Sequence, residues 1–376
     1  MRKFICYVPT LRFAEYTDEW HKFALSDFVT RITRRNKNNE SSLPLTISAQ
    51  YGLVDQITFF NKTVASVDLS GYYLLYNGDF AYNKSYSNDY AWGAVKRLDR
   101  YDKGCLSSLY FVFRPKDSVD SDYLTHYFET KKWHKGISDI AGEGARNHGL
   151  LNMAVDDYFA TKHFLPAIDE QRKIAAFLNK IEKRIETQNK IIEDLKILKK
   201  ELCRKMLSSI TEQKTLGELC SITTGKLDAN ANNHNGLYPF FTCGKDTLSI
   251  DNYAFNGEAI LIAGNGDIGH TKYYCGKFNA YQRTYVLMDF KADAQFIKMG
   301  IDTYLPQKIS EETQGGAMPY IKLSTLTSLK IPFTTEENQL SIKNHFHTIA
   351  QKVENEIKLL ELLLKQKSYF LNAMFI

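Results

Sequence analysis

Two stretches of this chain repeat one apolar pattern, and each stretch is too long for an ordinary helix. After Pro166, apolar residues recur with a period of 3.5 residues over about five heptads, and the stretch after Pro332 repeats them 168 residues later. Both stretches lack Pro and Gly and are rich in Leu, Lys, Glu and Gln, which favour helix. Each stretch is therefore predicted to form a helix of roughly 36 residues, about 54 Å long.

The two predicted helices are expected to pair with each other along a seam of apolar residues. A sustained 3.5-residue period is typical of a coiled-coil seam. The polar positions that interrupt the pattern also correspond, Gln188 and Lys199 in the first helix with Glu356 and Lys367 in the second. This match favours internal pairing over a separate surface helix or an oligomerising coiled coil. The predicted seam residues are Ile174, Leu178, Ile181, Ile185, Ile192, Leu195, Leu202, Ile342, Phe346, Ile349, Val353, Leu360, Leu363 and Phe370.

A segment rich in Tyr, Phe, Gly, Asn and Thr precedes each helix, and both segments open with a similar sequence. Short β-like runs are separated by Asn-Gly turn signals; the runs are Gly71–Leu75, Leu109–Arg114, Ala259–Ala263 and Thr284–Met288, and the turns are Asn77-Gly78, Asn235-Gly236 and Asn256-Gly257. The prediction is an α+β fold with a pseudo-twofold internal repeat. Its segments are residues 1–165 (the first head), 166–209 (a long helix), 210–331 (the second head) and 332–376 (a long helix).

Composition is that of an ordinary globular protein, with 44% apolar and 24% charged residues. The net charge of +5 is too small to require a polyanionic partner, so any nucleic-acid contact must come from local loops. The six cysteines are far apart and form no C-x-x-C motif, which predicts free buried thiols in a reducing cytosol and no zinc site. Pro9 and Arg12 interrupt the N-terminal sequence and no membrane-spanning apolar run occurs, so a cytoplasmic location is expected.

One glycine motif could indicate a nucleotide site. Gly264–Gly269 matches G-x-G-x-x-G after an apolar run, and Asp289 follows 20 residues later. A dinucleotide fold needs a helix at the third glycine, but residues 270–279 are aromatic, β-branched and interrupted by Gly276. The pattern therefore favours a turn between two strands. The sequence contains no P-loop, no G-x-S-x-G, no H-E-x-x-H and no Pro-Pro, so the chain alone is predicted to be non-catalytic.

Polar and basic loops in both heads are candidate DNA contacts. Arg and Lys suit guanine edges and phosphates, and Asn and Gln suit adenine edges. The predicted DNA-contacting residues are Arg34, Arg35, Lys37, Asn38, Asn83, Lys84, Arg146, Asn147, His148, Lys226, Asn230, Asn232, Lys245, Asn265, Lys272, Gln282 and Arg283.

The start of the first long helix resembles a known family. Residues 165–178 contain P-x-x-x-E-Q-x-x-I-A-x-x-L, which is similar to the helix start of the specificity subunits of type I restriction–modification systems. The chain's opening, residues 8–13 with Glu19-Trp20, and the helix ends at residues 205–207 and 373–375 resemble the same family. The second helix start departs from the pattern, because Asn338 stands where the first has Glu170 and Pro332 lies two residues further from Gln339.

The resemblance implies a non-catalytic subunit whose two heads each read one half of a bipartite site on double-stranded DNA. It also implies that the helices pair antiparallel, set the spacing and dock two modification (methyltransferase) subunits. No cofactor is expected on this chain: S-adenosylmethionine, ATP and Mg are expected on the partner subunits, which include restriction subunits in systems that cleave. Half-sites about one helical turn apart, ~34–36 Å, suit a helix pair of about 54 Å.

Two other functions stay open at the level of sequence. One is a stand-alone nucleotide-dependent enzyme built around Gly264–Gly269, which a cofactor titration would reveal. The other is a coiled-coil interaction protein without a DNA role, which a DNA-binding titration with partner subunits present would distinguish.

Overall fold

The computed structural model describes residues 7–61, 66, 68–85, 90–141, 150–312 and 320–376. The chain forms two compact units. The first unit is Met1–Thr187 with Leu360–Ile376, and the second is Gln188–Leu359. Each unit contains one head and a part of both long helices. The four sequence segments predicted above cut the chain at other points, and their boundaries stay a prediction.

The first head is built from short strands and short helices. Its strands are β1 (His21–Ala24), β2 (Val29–Arg31), β3 (Leu45–Ser48), β4 (Gly52–Asp55), β5 (Tyr73–Tyr76), β6 (Phe80–Asn83), β7 (Ala94–Arg97), β8 (Lys103–Leu106), β9 (Phe111–Pro115) and β10 (Lys162–Leu165). Its helices are α1 (Leu25–Phe28), α2 (Gln56–Phe60), α3 (Ser121–Tyr127), α4 (His134–Ile140) and α5 (Val155–Ala160). The main sheet has the order β2-β9-β6-β7, and β1-β10, β3-β4 and β5-β8 are two-stranded.

The first long helix, α6 (Ile168–Ser208), leads into the second head. The strands of this head are β11 (Gln213–Thr215), β12 (Ser221–Thr224), β13 (Tyr238–Phe241), β14 (Thr247–Ile250), β15 (Phe255–Ala263), β16 (Thr271–Ala280), β17 (Thr284–Met288) and β18 (Lys330–Pro332). Its helices are α7 (Leu216–Leu219), α8 (Ala294–Glu312) and α9 (Leu323–Thr327), and the second long helix is α10 (Glu336–Ala373). Six strands form one sheet in the order β12-β17-β15-β16-β13-β14. The mixed α+β class predicted from the sequence is confirmed.

Both heads begin and end with the same arrangement. In the first head β1 pairs antiparallel with β10, and in the second β11 pairs antiparallel with β18. A single helical turn follows each opening strand. The third residue of the turn has a carboxylate that accepts a hydrogen bond from the backbone N–H of the residue before the turn. Those carboxylates belong to Asp27 and Glu218, so the similarity noticed between the two opening sequences is a shared cap of the turn.

The long helices contact each other within the first unit. Phe177 on α6 packs edge-on against Phe370 on α10, with ring centroids 4.9 Å apart. Nearer the middle of both helices, the Lys367 ammonium lies 2.7 Å from the Glu182 carboxylate. Residue numbers on α10 fall as those on α6 rise, so these stretches run antiparallel.

The helices contact each other within the second unit in the same sense. The Gln188 amide donates to the Glu356 carboxylate at 2.7 Å, although these two positions are 168 residues apart and correspond in the repeat. Further along, the Lys199 ammonium lies 4.5 Å from the centre of the Phe346 ring. Every predicted seam residue of α6 and α10 is buried or half-buried, whereas Ile197, Leu198 and Leu362 are more than half exposed.

Several local predictions can be compared with the structure directly. The runs Ala259–Ala263 and Thr284–Met288 lie in β15 and β17, which confirms them as strands. The turn predicted at Asn256-Gly257 is wrong, because both residues lie inside β15, where Gly257 pairs with Gly276. Both glycines have positive φ, 136° and 140°, so here the Asn-Gly signal marks a bend in paired strands.

The cysteine prediction holds only in part. Among the cysteines that the structure describes, Cys105, Cys203, Cys220 and Cys243 are free and buried. Cys275 is exposed, because it lies on the outward face of β16, so the prediction of a buried thiol is wrong for this residue. In the described part of the chain, no helix has the length and apolar character that crossing a membrane requires.

Candidate nucleic-acid interface

Loops between the strands of the second head converge on one another. The Gln282 N–H donates to the Leu227 carbonyl at 2.8 Å, and the Asp267 N–H donates to the Cys243 carbonyl at 3.2 Å. These bonds join loops that are distant in sequence and enclose a shallow cavity of about 370 Å³. We call residues 225–233, 242–247, 264–272 and 281–283 together the second-head loop cluster.

The glycine motif belongs to this cluster and acts as a turn. Gly264 donates its N–H to the Arg283 carbonyl at 2.9 Å, and a Cβ at position 264 would lie 2.5 Å from that oxygen. Gly266 and Gly269 have φ values of 63° and 75°, which favour glycine. Strand β16 begins at Thr271, where a dinucleotide-binding fold would begin a helix. The turn predicted from the sequence is therefore present.

All of the DNA-contacting residues predicted in the second head lie in the loop cluster. The exposed members are Lys226, Asn230, Lys245, Gln282 and Arg283, and the half-buried ones are Asn232, Asn265 and Lys272. These residues come from separate loops. The sequence suggested each of them singly, and the fold brings them to one surface.

Some cluster side chains already have partners within the head. The Lys272 ammonium lies 3.0 Å from the Asp246 carbonyl and 5.6 Å from the centre of the Phe241 ring. Burial lowers the pKa of Lys272 from its ordinary value, although nearby carboxylates oppose this effect. The Gln282 amide lies 3.3 Å from the Asp228 carboxylate. The cluster is therefore a mixed polar surface that includes the exposed cations Lys226, Lys245 and Arg283.

Sequence reasoning missed part of the cavity lining. Thr242 and Tyr281 line it together with the glycine turn. The Tyr281 N–H donates to the Phe241 carbonyl at 2.9 Å, which holds its ring beside the cluster. Its position directly before the predicted pair Gln282-Arg283 was the one available signal.

In the first head, the predicted residues Arg34 and Arg35 form bonds within the fold. The buried Asp79 carboxylate accepts hydrogen bonds from Arg34 at 3.0 Å and from Arg114 at 2.6 Å. The Arg34 guanidinium also stacks on Tyr76, 4.2 Å from the ring centre. The Arg35 side chain donates to the Gly71 carbonyl at 2.6 Å. The structure thus gives both arginines bonds inside the head, and their DNA contact stays a prediction.

The other predicted residues of the first head that the structure describes are Lys37, Asn38, Asn83 and Lys84. Lys37 and Asn38 are exposed on a turn that the buried Asn36 side chain closes by bonding the backbone of residue 41. Asn83 ends β6, and the next residue, Lys84, lies with its ammonium 4.8 Å from the centre of a Phe ring, where burial lowers its pKa. The predicted residues Arg146, Asn147 and His148 lie outside the described residues.

A cluster of charged side chains, of which His126 alone is fully buried, joins the first head to both long helices. Among the described residues, His126, Glu129 and Glu182 place ligand-type atoms within 4.8 Å of one another. The Lys367 ammonium lies 2.8 Å from Glu129 and 2.7 Å from Glu182. A lysine thus supplies the positive charge that these carboxylates attract. We therefore assign the group a packing role.

Comparison with known proteins gives a consistent family. Residues 210–365 match the family model described as the type I restriction modification DNA specificity domain. The Escherichia coli EcoDI specificity subunit is 39% identical over 140 residues, which is 37% of this chain and 31% of that protein. The MjaVIII specificity subunit of Methanocaldococcus jannaschii is 24% identical over 318 residues, 72% of this chain and 73% of that protein. The chain thus spans less than a third of the EcoDI subunit.

Solved structures share the fold at low sequence identity. A chain from a structure on complex assembly and conformational transition of the type I R-M system aligns with a TM-score of 0.64 at 16% identity, covering 96% of this chain and 98% of that chain. The S subunit from M. genitalium aligns with a TM-score of 0.53 at 18% identity, covering 98% of this chain and 99% of that one.

The fold is therefore that of a type I restriction–modification S subunit: mixed heads combined with long helices. The match to the type I restriction modification DNA specificity domain spans residues 210–365, which include the second-head loop cluster. The resemblance recognised from the helix start is confirmed.

Proposed function

We propose that this chain is the sequence-specific DNA-recognition subunit of a type I restriction–modification complex. Each head reads one half of a bipartite site on double-stranded DNA, and the long helices set the distance between the halves. The observation that carries the proposal is the second-head loop cluster, where Lys, Arg, Asn and Gln from separate loops meet on one exposed surface. That combination suits both phosphate contact and base-edge reading.

The long helices are the surface on which modification subunits dock. On α6, Ile197 and Leu198 are 62% and 54% exposed. On α10, Leu362 and Tyr369 are each 61% exposed. Exposed apolar side chains on helices whose inner face is already packed are candidate contacts for a partner protein. Two modification subunits, and restriction subunits in a cleaving system, are the partners we propose.

Catalysis belongs to the partners in this proposal. S-adenosylmethionine, ATP and Mg bind the partner subunits, and this chain supplies recognition in the cytoplasm. We expect no methyl transfer to DNA by the purified chain, and methyl transfer once modification subunits are added. Turnover by the chain alone would contradict the non-catalytic assignment.

DNA contact by the loop cluster can be tested through the salt dependence of binding. The complex of chain and modification subunits is titrated with a pool of random-sequence duplexes, as wild type and as the double variant Lys226→Gln with Arg283→Gln. Each lost phosphate contact makes the slope of log affinity against log salt shallower by about 0.9. We expect a slope shallower by about 1–2 for the variant. Lys277→Gln, at an exposed lysine on β16 outside the cluster, is the control and keeps the wild-type slope. An unchanged slope in the double variant would contradict DNA contact at this surface.

A further inference from the structure

A buried glutamine near the start of α6 ties this helix to the first head. Gln171 is 1% exposed. Its side-chain oxygen accepts the Asp120 backbone N–H at 2.9 Å, and its amide nitrogen donates to the Pro166 carbonyl at 2.9 Å. Asp120 caps the head helix α3 by accepting the Tyr123 N–H at 2.9 Å. One side chain therefore joins the long helix, the end of β10 and the first turn of α3.

The second unit contains the same arrangement at the corresponding position. Gln339, 168 residues after Gln171, is 2% exposed. Its side chain accepts the Asp293 N–H at 3.1 Å and donates to the Thr334 carbonyl at 2.7 Å. Asp293 caps α8 by accepting the Phe296 N–H at 2.9 Å. In both units the bonded carbonyl lies five residues before the glutamine.

The surroundings of the two glutamines differ between the units, whereas the two hydrogen bonds are the same in both. Head helix α3 has 7 residues and α8 has 19. The residue before the glutamine is the buried Glu170 in one unit and the exposed Asn338 in the other. A pair of bonds that is the same in two otherwise different settings points to a geometric requirement that both heads share.

The chemistry of the amide explains why glutamine suits this position. An amide side chain of this length accepts through its oxygen and donates through its nitrogen at the same time. The Asp N–H belongs to the capped end of a head helix, and the carbonyl belongs to the junction between strand and long helix. An amide that satisfies both groups allows one orientation of the head helix on the long helix. Losing it removes the partner of the Asp N–H and of the junction carbonyl, both of which are at least partly shielded from water.

We propose that Gln171 and Gln339 are positioning residues for DNA recognition, each of which fixes the angle of its head on its long helix. This inference rests on the proposed function. Neither side chain is exposed enough to touch DNA, so each acts through the head that it holds. Loosening either head broadens the range of spacer lengths that the complex accepts and leaves the bases read in each half-site unchanged.

The test is a methylation assay on a random-sequence plasmid library, with methylated sites identified by sequencing. The complex of full-length chain and modification subunits is compared as wild type, Gln171→Met, Gln339→Met and Gln351→Met. Gln351 is an exposed glutamine on α10 and serves as the control. For the two buried positions we expect discrimination against spacers one base pair longer or shorter to fall about tenfold, the size of effect that a lost buried hydrogen bond produces. The control keeps wild-type discrimination.

Folded variants that keep the wild-type discrimination would overturn the inference, and so would a changed base preference in either half-site. Hydrogen exchange on the full chain keeps the test decisive if a variant no longer methylates. We expect the backbone amide of Asp120 to exchange faster than in the wild type only in Gln171→Met, and that of Asp293 only in Gln339→Met. Exchange at the wild-type rate at these amides in the variants would overturn the inference. Gln171→Glu keeps the acceptor and lacks the donor, so it retains protection at Asp120. If the wild-type complex methylates no two-part site, the proposed function fails, and the exchange result still decides whether the glutamines hold the heads.

Discussion

The two junctions between head and long helix share a backbone frame and differ in side-chain chemistry. In the first unit, Arg12 forms a two-pronged ion pair with Glu170, at 2.7 Å on both bonds, with side chains 13% and 2% exposed. In the second unit the residue corresponding to Glu170 is the exposed Asn338, whose amide bonds a threonine hydroxyl at 3.2 Å. The first junction contains a buried ion pair, whereas the ion pair at the second junction, between Lys343 and Asp293, has side chains that are 27% and 33% exposed.

The same contrast recurs at the polar positions of the seam and in the closing strands. Lys367 is held by two carboxylates in the first unit, whereas its counterpart Lys199 lies over an aromatic ring in the second. His163 of β10 is buried, and its counterpart in β18 is the buried Ile331. The two units therefore share the strand pairing and the glutamine hydrogen bonds, but they differ in the charged side chains at corresponding positions. Backbone geometry specifies this junction, and the stability of each unit should respond differently to charge removal and to pH.

The largest expected difference is at the Arg12–Glu170 pair. Glu170→Ala removes the carboxylate from a buried ion pair, which costs about 3–5 kcal/mol in the free energy of unfolding of the first unit. Asn338→Ala changes an exposed side chain and should stay within about 0.5 kcal/mol. Urea denaturation followed by hydrogen exchange in each unit measures both values. Equal effects of the two substitutions would remove the contrast between the junctions.

A matched pair of isoleucines compares packing at the same register. Ile174 is 1% exposed and Ile342, its counterpart, is half-buried. Ile174→Ala opens a cavity and should cost roughly 2–5 kcal/mol. Ile342→Ala should cost roughly half as much, because part of that side chain already meets solvent. The free energies of unfolding of the two variants give the comparison, and a larger cost at Ile342 would contradict it.

Acid should weaken the first unit selectively, because of His163. Thr161 Oγ1 donates to the Tyr158 carbonyl, so the His163 Nε2–H donates to Thr161 and Nδ1 accepts the Tyr127 hydroxyl. Burial of this neutral ring lowers the pKa of His163 from 6.5 to about 4. Above pH 6.5 both folded and unfolded states are neutral and stability is complete. Between pH 6.5 and 4 only the unfolded state takes up the proton, so stability falls by about 3 kcal/mol.

Hydrogen exchange measured across this pH range checks the histidine prediction. The loss of protection should appear in the first unit and should be absent from the second between pH 6.5 and 4.5, since Ile331 does not titrate. A parallel loss in both units would exclude His163 as its cause.

The smallest expected effect is at Lys199, which is compared with its counterpart Lys367. Lys199→Met removes one cation from a ring face, worth about 0.5–1 kcal/mol. Lys367→Met should cost more, because it leaves Glu129 and Glu182 without the ammonium between them. Thermal unfolding of the two variants measures the difference. A cost at Lys199 as large as that at Lys367 would show that the ion pairs add nothing beyond the ring contact.

Sequence alone predicted the long helices because a 3.5-residue period over five heptads leaves little choice of structure. It could not locate the surface of the second head, because Lys226, Lys245 and Arg283 lie in different loops that meet only through tertiary bonds. In the first head the sequence contained no sign of the ion pair that Arg34 forms with the buried Asp79, because Asp79 lies 45 residues further along the chain. The sequence identified Gln171 only as part of the family motif. Its two hydrogen bonds could not be predicted, because they reach backbone groups whose positions depend on the fold of the whole head.

The central claim is that each head reads one half of a split DNA site. Mapping the adenines methylated by the complex of this chain with its modification subunits tests it most directly, with the wild type compared against a chain whose residues 213–331 come from another such subunit. We predict a two-part motif with a fixed spacer for the wild type, and a change in only one half of the motif after the exchange. A single uninterrupted motif, or a change in both halves, would contradict the account.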